Sequence, residues 1–91
     1  MPLRVSAEGV TFTFAGAATS VSLAGDFNNW STTADPLAKQ ADGTWRITKK
    51  LPQGAHTYKF VINGSTWKTD DANPESKDDG FGGKNSVVTI P

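Results

Sequence analysis

Ninety-one residues with no cysteine, one histidine and nine basic against nine acidic side chains suit one small domain, residues 1–91, near the lower size limit for a single hydrophobic core. The composition excludes disulfides, thiolate metal sites and cysteine nucleophiles, and a lone His56 makes a His-rich metal site or a Ser-His-Asp arrangement improbable. Balanced charge argues against a nucleic-acid binder, no apolar run reaches membrane length and Met1-Pro2-Leu3-Arg4 begins no signal peptide, so a cytoplasmic protein or module is the expectation.

Taken in order, residues 4–8 form a weak first strand. Val10-Thr11-Phe12-Thr13-Phe14 alternates apolar with Thr, the pattern of a strand with one buried face. Residues 20–24 resume with Val21 and Leu23 in phase, and the short break between the two suggests a hairpin. Residues 28–35 are polar and turn-rich, and residues 36–39 suit an edge strand because of Pro36. After the turn signal Asp42-Gly43, Trp45 and Ile47 share one face of a strand, which places Trp45 in the core. Residues 56–62, His-Thr-Tyr-Lys-Phe-Val-Ile, are the best strand by β-propensity. Asn63-Gly64 marks a hairpin that returns through residues 65–69. Residues 70–84 lack periodicity and read as one long loop, functional or disordered, before a last strand at residues 85–90. No segment has a helical period, so about seven short strands predict an all-β antiparallel sandwich.

Charge is uneven: Arg46, Lys49, Lys50 and Lys59 lie mid-chain, while Asp70, Asp71, Glu75, Asp78 and Asp79 crowd the late loop. Both clusters read as solvated surface. The carboxylates could supply an acid pair for glycoside hydrolysis, but their loop offers nothing apolar to raise a pKa, so no catalytic residue is assigned. Asp71-Ala72-Asn73-Pro74-Glu75 mimics the start of a calcium loop, yet Ser76 stands where Gly is needed, Pro74 intrudes and the closing Glu is missing. No metal or cofactor is expected. Asn29-Trp30-Ser31 and Asn63-Gly64-Ser65 match glycosylation sequons of the kind that occur by chance.

One constellation remains: Trp30, Lys59, Trp67, Phe81 and Asn85. The apolar C–H face of a sugar ring packs flat on an indole, and its rim hydroxyls need donors and acceptors such as an ammonium and an amide. Against this stands the plainer reading in which one Trp is core and Phe81 only ties down its loop. The face of Trp67 decides between them. A two-residue turn at Asn63-Gly64 pairs Trp67 with Phe60 and turns it inward. A bulged three-residue loop, residues 62–64, sets it across from Lys59 on the outer face. Local sequence permits both.

The stretch Gly25-Asp26-Phe27-Asn28-Asn29-Trp30 resembles the starch- and glycogen-binding modules of carbohydrate-binding module family 48, which include the glycogen-binding domain of the AMP-activated protein kinase β subunit and domains preceding isoamylase and branching-enzyme catalytic domains. The likeness continues through Leu51-Pro52-Gln53-Gly54-Ala55-His56-Thr57-Tyr58-Lys59-Phe60, through Asn63-Gly64 followed by Trp67, and through Asn85-Ser86-Val87-Val88. It implies an immunoglobulin-like sandwich that binds α-glucan without catalysis. Trp30 and Trp67 would be the stacking pair, Lys59 and Asn85 the hydrogen-bonding groups, and Phe81 the residue that reaches into a curved glucan chain. It also implies, as an alternative, a module that docks on a catalytic or kinase partner. Ser65-Thr66 puts one residue more before Trp67 than the kinase domain has, so the resemblance favours a bulged loop that absorbs it.

Overall fold

Among the described residues there are nine strands and no helix, the longer strands built on apolar residues at alternate positions: β1 Leu3–Ser6, β2 Gly9–Phe14, β3 Val21–Gly25, β4 Ala38–Lys39, β5 Trp45–Lys49, β6 Gly54–Ile62, β7 Thr66–Lys68, β8 Ser76–Asp78 and β9 Lys84–Ile90. This computed structural model describes residues 3–6 by their backbone, and residues 9–73 and 75–91 in full. Met1, Pro2, Ala7, Glu8 and Pro74 lie outside the described residues, and with them the end of the expected first strand and the proline of the calcium-loop comparison.

The strands form two antiparallel sheets, one in the order β1-β2-β5-β4, the other in the order β3-β6-β9-β8 with β7 added to β6. Their facing sides bury Val10, Phe12 and Trp45 from the first sheet against Val21, Leu23, Tyr58, Phe60, Ile62 and Val88 from the second. The ring of Phe12 meets Tyr58 edge-on at 4.8 Å, and Phe14 meets Phe60 at 5.5 Å. Burying each such side chain is worth about 1.5–3 kcal/mol, so these rings dominate the cohesion of the sandwich. The all-β sandwich expectation and the core position of Trp45 both hold.

Three expectations do not hold. β2 and β3 form no hairpin: β2 pairs β1 and β5, while β3 pairs β6 in the opposite sheet. Both strands are half apolar, and the sandwich satisfies both by placing one on each side of the core. Residues 70–84 are not one loop, because Ser76–Asp78 pairs with Lys84–Ile90 as an edge strand. Its side chains are all exposed, so it leaves no apolar period to read.

The third concerns charge. Asp70 is buried at 4% exposure, not solvated. One carboxylate oxygen accepts the Tyr58 hydroxyl at 2.8 Å and the other accepts the Ala72 N–H at 3.2 Å; the Asp70 N–H donates to Ser86 Oγ at 2.8 Å. Asn73 donates to Tyr58 Oη and to the Val87 carbonyl, both at 2.9 Å. Burial pushes the Asp70 carboxyl upward, opposed by the Tyr58 hydrogen bond, and burial likewise pushes the Tyr58 phenol upward. Asp70 and Asn73 therefore fasten the segment after β7 to the inner faces of β6 and β9. Tyr58→Phe is expected to lower stability by about 1–3 kcal/mol, since it strips a hydroxyl partner from buried Asp70. Urea unfolding should show a lower midpoint at unchanged slope.

Candidate glucan-binding face

Residues 25–30 bend the chain out of β3, and each has a physical task. Gly25 is buried where a Cβ would come within 2.6 Å of both the Phe27 ring and the Thr57 carbonyl, so no side chain fits. Asp26 accepts the Thr57 N–H at 3.1 Å, which ties the loop to β6. Phe27 packs against the core beside Phe12, 6.4 Å between centroids. The Asn28 amide is spent inside the loop. Its oxygen accepts the N–H groups of Gly25 and Ser31, and its nitrogen donates to the Leu23 carbonyl and to Asp35. Asn29 and Trp30 then take left-handed φ of 58° and 57°, closed by Trp30 N–H donating to the Gly25 carbonyl at 2.9 Å. For a residue other than glycine that conformation costs about 1–2 kcal/mol. The polar network holds Trp30 half-buried at the loop's rim despite that cost.

The open face of the second sheet receives Lys59 because Tyr58 and Phe60 point inward. β6 has β3 along one edge, while its other edge changes partner: β9 pairs its first half, through Tyr58↔Ser86, and β7 pairs Phe60, Val61 and Ile62. Lys59 sits where that change occurs. One step along the β9 register brings Asn85 beside Lys59 on the same face.

The hairpin at Asn63-Gly64 takes neither register foreseen from the sequence. Asn63 and Gly64 have φ of 55° and 78°, and Ser65 N–H donates to the Ile62 carbonyl at 3.2 Å, as in the two-residue turn. The ladder nevertheless resumes at Ile62↔Thr66, so Ser65 is the extra residue and bulges on the returning strand. Trp67 therefore pairs with Val61, not with Phe60 or Lys59. Val61 and Lys59 share a face, so Trp67 faces outward and is 45% exposed. Asn63 Oδ1 accepts the Thr19 N–H at 2.7 Å, which fixes the turn to the β2–β3 connection.

Phe81 is 94% exposed on a loop between β8 and β9. Asp79 shapes that loop: one of its oxygens accepts the N–H of Phe81 at 2.7 Å and of Gly83 at 3.1 Å, and its own N–H donates to the Gly83 carbonyl at 3.1 Å. Its other oxygen accepts from Lys59 Nζ at 3.2 Å. The Phe81 N–H above all, then Gly83 and Lys59, holds the Asp79 carboxyl below its ordinary value against a smaller opposing effect of burial.

Trp30, Lys59, Trp67, Phe81 and Asn85 line one cavity of about 470 Å³, and Asp79 is the sixth lining residue. The five picked from the sequence thus come together. Asp79 was missed inside an acidic run, although Asp79-Gly80 is itself a turn signal. Two indoles, an exposed phenyl, an ammonium and an amide around a shallow cavity offer flat apolar area with directed hydrogen bonding, the requirements of a neutral polyhydroxylated ligand.

The family described as the glycogen recognition site of AMP-activated protein kinase matches residues 9–91. The 5'-AMP-activated protein kinase subunit beta-1 of pig is 37% identical over 68 residues, covering 75% of this chain and 52% of that protein; the rat subunit is 37% identical over 68 residues, 24% of its length. The 1,4-alpha-glucan branching enzyme GlgB of Aquifex aeolicus is 32% identical over 56 residues, covering 59% of this chain and 9% of the enzyme. The chain thus spans about half or less of the length of these relatives.

His56, on the side of β6 opposite Lys59, makes the stability of the fold depend on pH. Its Nδ1 lies 3.0 Å from Asp26 Oδ1 and its Nε2 2.8 Å from the Pro52 carbonyl. Both neighbours are acceptors, so the imidazolium satisfies both and the neutral ring only one. The Pro52 carbonyl raises the His56 pKa most, burial opposes it, and Asp26 adds to the rise. A group raised on folding stabilises fully below its unfolded value, 6.5, and loses that contribution as pH climbs through the folded value. The melting temperature is accordingly expected to fall as pH rises from about 6 to about 8. His56→Gln should flatten the slope in thermal scans by circular dichroism.

Proposed function

We propose that this chain, which belongs to the family of glycogen recognition sites of AMP-activated protein kinase, acts as a single non-catalytic module that binds α-1,4-glucan through the face around Lys59. The observation that carries the reading is the joint lining of one cavity by Trp30, Trp67, Lys59, Phe81 and Asn85. Trp30 and Trp67 stack on successive glucose units, Lys59 and Asn85 hydrogen-bond ring hydroxyls, and Phe81 braces the inside of the curved chain. The exposure of Trp67 and Phe81 supports ligand contact, because both leave large apolar area uncovered and neither belongs to the core between the sheets.

A shallow face with a few directed groups binds short oligosaccharides at Kd of about 10 μM to 1 mM. A neutral ligand leaves no charge to screen, so affinity should hardly change with salt. Titration calorimetry with maltoheptaose is expected to show Trp30→Ala and Trp67→Ala each weakening binding by about tenfold or more. The melting temperature of Trp67→Ala should stay close to that of the unaltered chain, because Trp67 lies outside the buried core. Undiminished binding by both variants would remove the assignment.

A second reading draws on the relatives' size. The matched segment is 24% of the rat β-1 subunit, so most of such a protein lies beyond this module. In that setting the chain docks on a kinase or catalytic partner with little sugar affinity of its own. Retarded migration in a native gel containing glycogen separates the two: retardation favours glucan binding, and its absence together with a stable partner complex favours docking.

A further inference from the structure

We infer that Asp79 is a positioning residue of this face, holding the Lys59 ammonium and the Phe81 loop in one fixed arrangement before ligand arrives; as regards the ligand, this rests on the glucan reading above. Both carboxylate oxygens are committed. One accepts the Phe81 and Gly83 N–H groups, and the other faces Lys59 Nζ at 3.2 Å. A single side chain thus closes the loop on itself and fastens it to the central strand of the sheet.

Three physical needs meet at Asp79. Phe81 is 94% exposed, so little packing directs its ring, and the loop around it holds Gly80, Gly82 and Gly83. Such a segment loses much conformational freedom on binding unless hydrogen bonds have ordered it beforehand. Lys59 has a flexible four-carbon stem, and the ion pair fixes its head while leaving two of its three N–H donors for hydroxyls. The third need is charge. The Lys59 side chain is 19% exposed, and a ligand covering it removes most of its remaining water. A neutral sugar brings no counter-charge, so the ammonium keeps a compensating carboxylate only if the protein supplies one. Asp79 supplies it at 12% exposure, inside the same cavity.

The test is a double-substitution cycle in maltoheptaose affinity, with Asp79→Asn, Lys59→Met and both together. Asn keeps an oxygen for the Phe81 and Gly83 N–H groups but removes the charge facing Lys59. Asp79→Asn is expected to weaken binding by about tenfold in the unaltered chain, but by less than about twofold when Lys59 is already Met. A merely structural role would leave the two effects multiplying. Equal loss in both backgrounds, or no loss at all, would overturn the inference. A second measurement needs no ligand. Amide ¹⁵N relaxation should show Phe81 and Gly83 becoming mobile in Asp79→Ala while the melting temperature stays near that of the unaltered chain. If the unaltered chain binds no glucan, the glucan reading fails and the relaxation data alone decide Asp79, with unchanged order at Phe81 counting against it.

Discussion

Successive residues of a strand point to opposite faces, and in β6 that alternation constrains the whole molecule. Tyr58 and Phe60 turn inward, where they meet Phe12 and Phe14 across the two sheets. Lys59 is thereby committed to the open face. Core and candidate site are two consequences of one period, and neither can move without the other. A slip of one residue along β6 would place an ammonium among aromatic rings, at a cost far beyond what a domain of this size withstands.

Around Lys59 the neighbouring elements arrive by different routes. β9 and β7 share one edge of β6, and their separation beside Lys59 leaves the place that Asn85 and Trp67 flank. Trp67 reaches the correct face because Ser65 bulges: two residues oppose Ile62, so the return strand is out of phase with a plain two-residue hairpin. The turn itself keeps left-handed backbone at both Asn63 and Gly64, which is what Asn-Gly favours. Turn type and register are thus separate quantities here, set by different residues.

The loops are rigid through polar bonds rather than apolar packing. Asn28 spends its amide inside residues 25–30, Asp26 ties that loop to Thr57 and His56, and Asp79 closes the segment that carries Phe81. Such bonds hold the half-buried Trp30 indole and the exposed Phe81 phenyl in place, so their uncovered apolar area remains available to a ligand. Asp70 and Asn73 do the same behind β7, with Tyr58 as their shared partner.

The sequence by itself determined the alternation in β2, β5 and β6, the core position of Trp45 and the all-β class. Each of these follows from local period, turn chemistry or side-chain type, which neighbouring positions alone specify. The tertiary structure decided the rest. Residues 10–24 look like a hairpin because a short connection between two half-apolar strands suits one; only the need to cover both sides of one core sends β3 to the other sheet. Asp70 and Asp79 look alike in an acidic run, yet one is buried under Tyr58 and the other meets Lys59, contacts made across 12 and 20 residues. Local propensity left the register of Trp67 open between a two-residue turn and a loop of residues 62–64, and the structure adopts a third, with Ser65 bulged. Packing of the whole sheet selects among them, because it acts on every side chain of the strand at once.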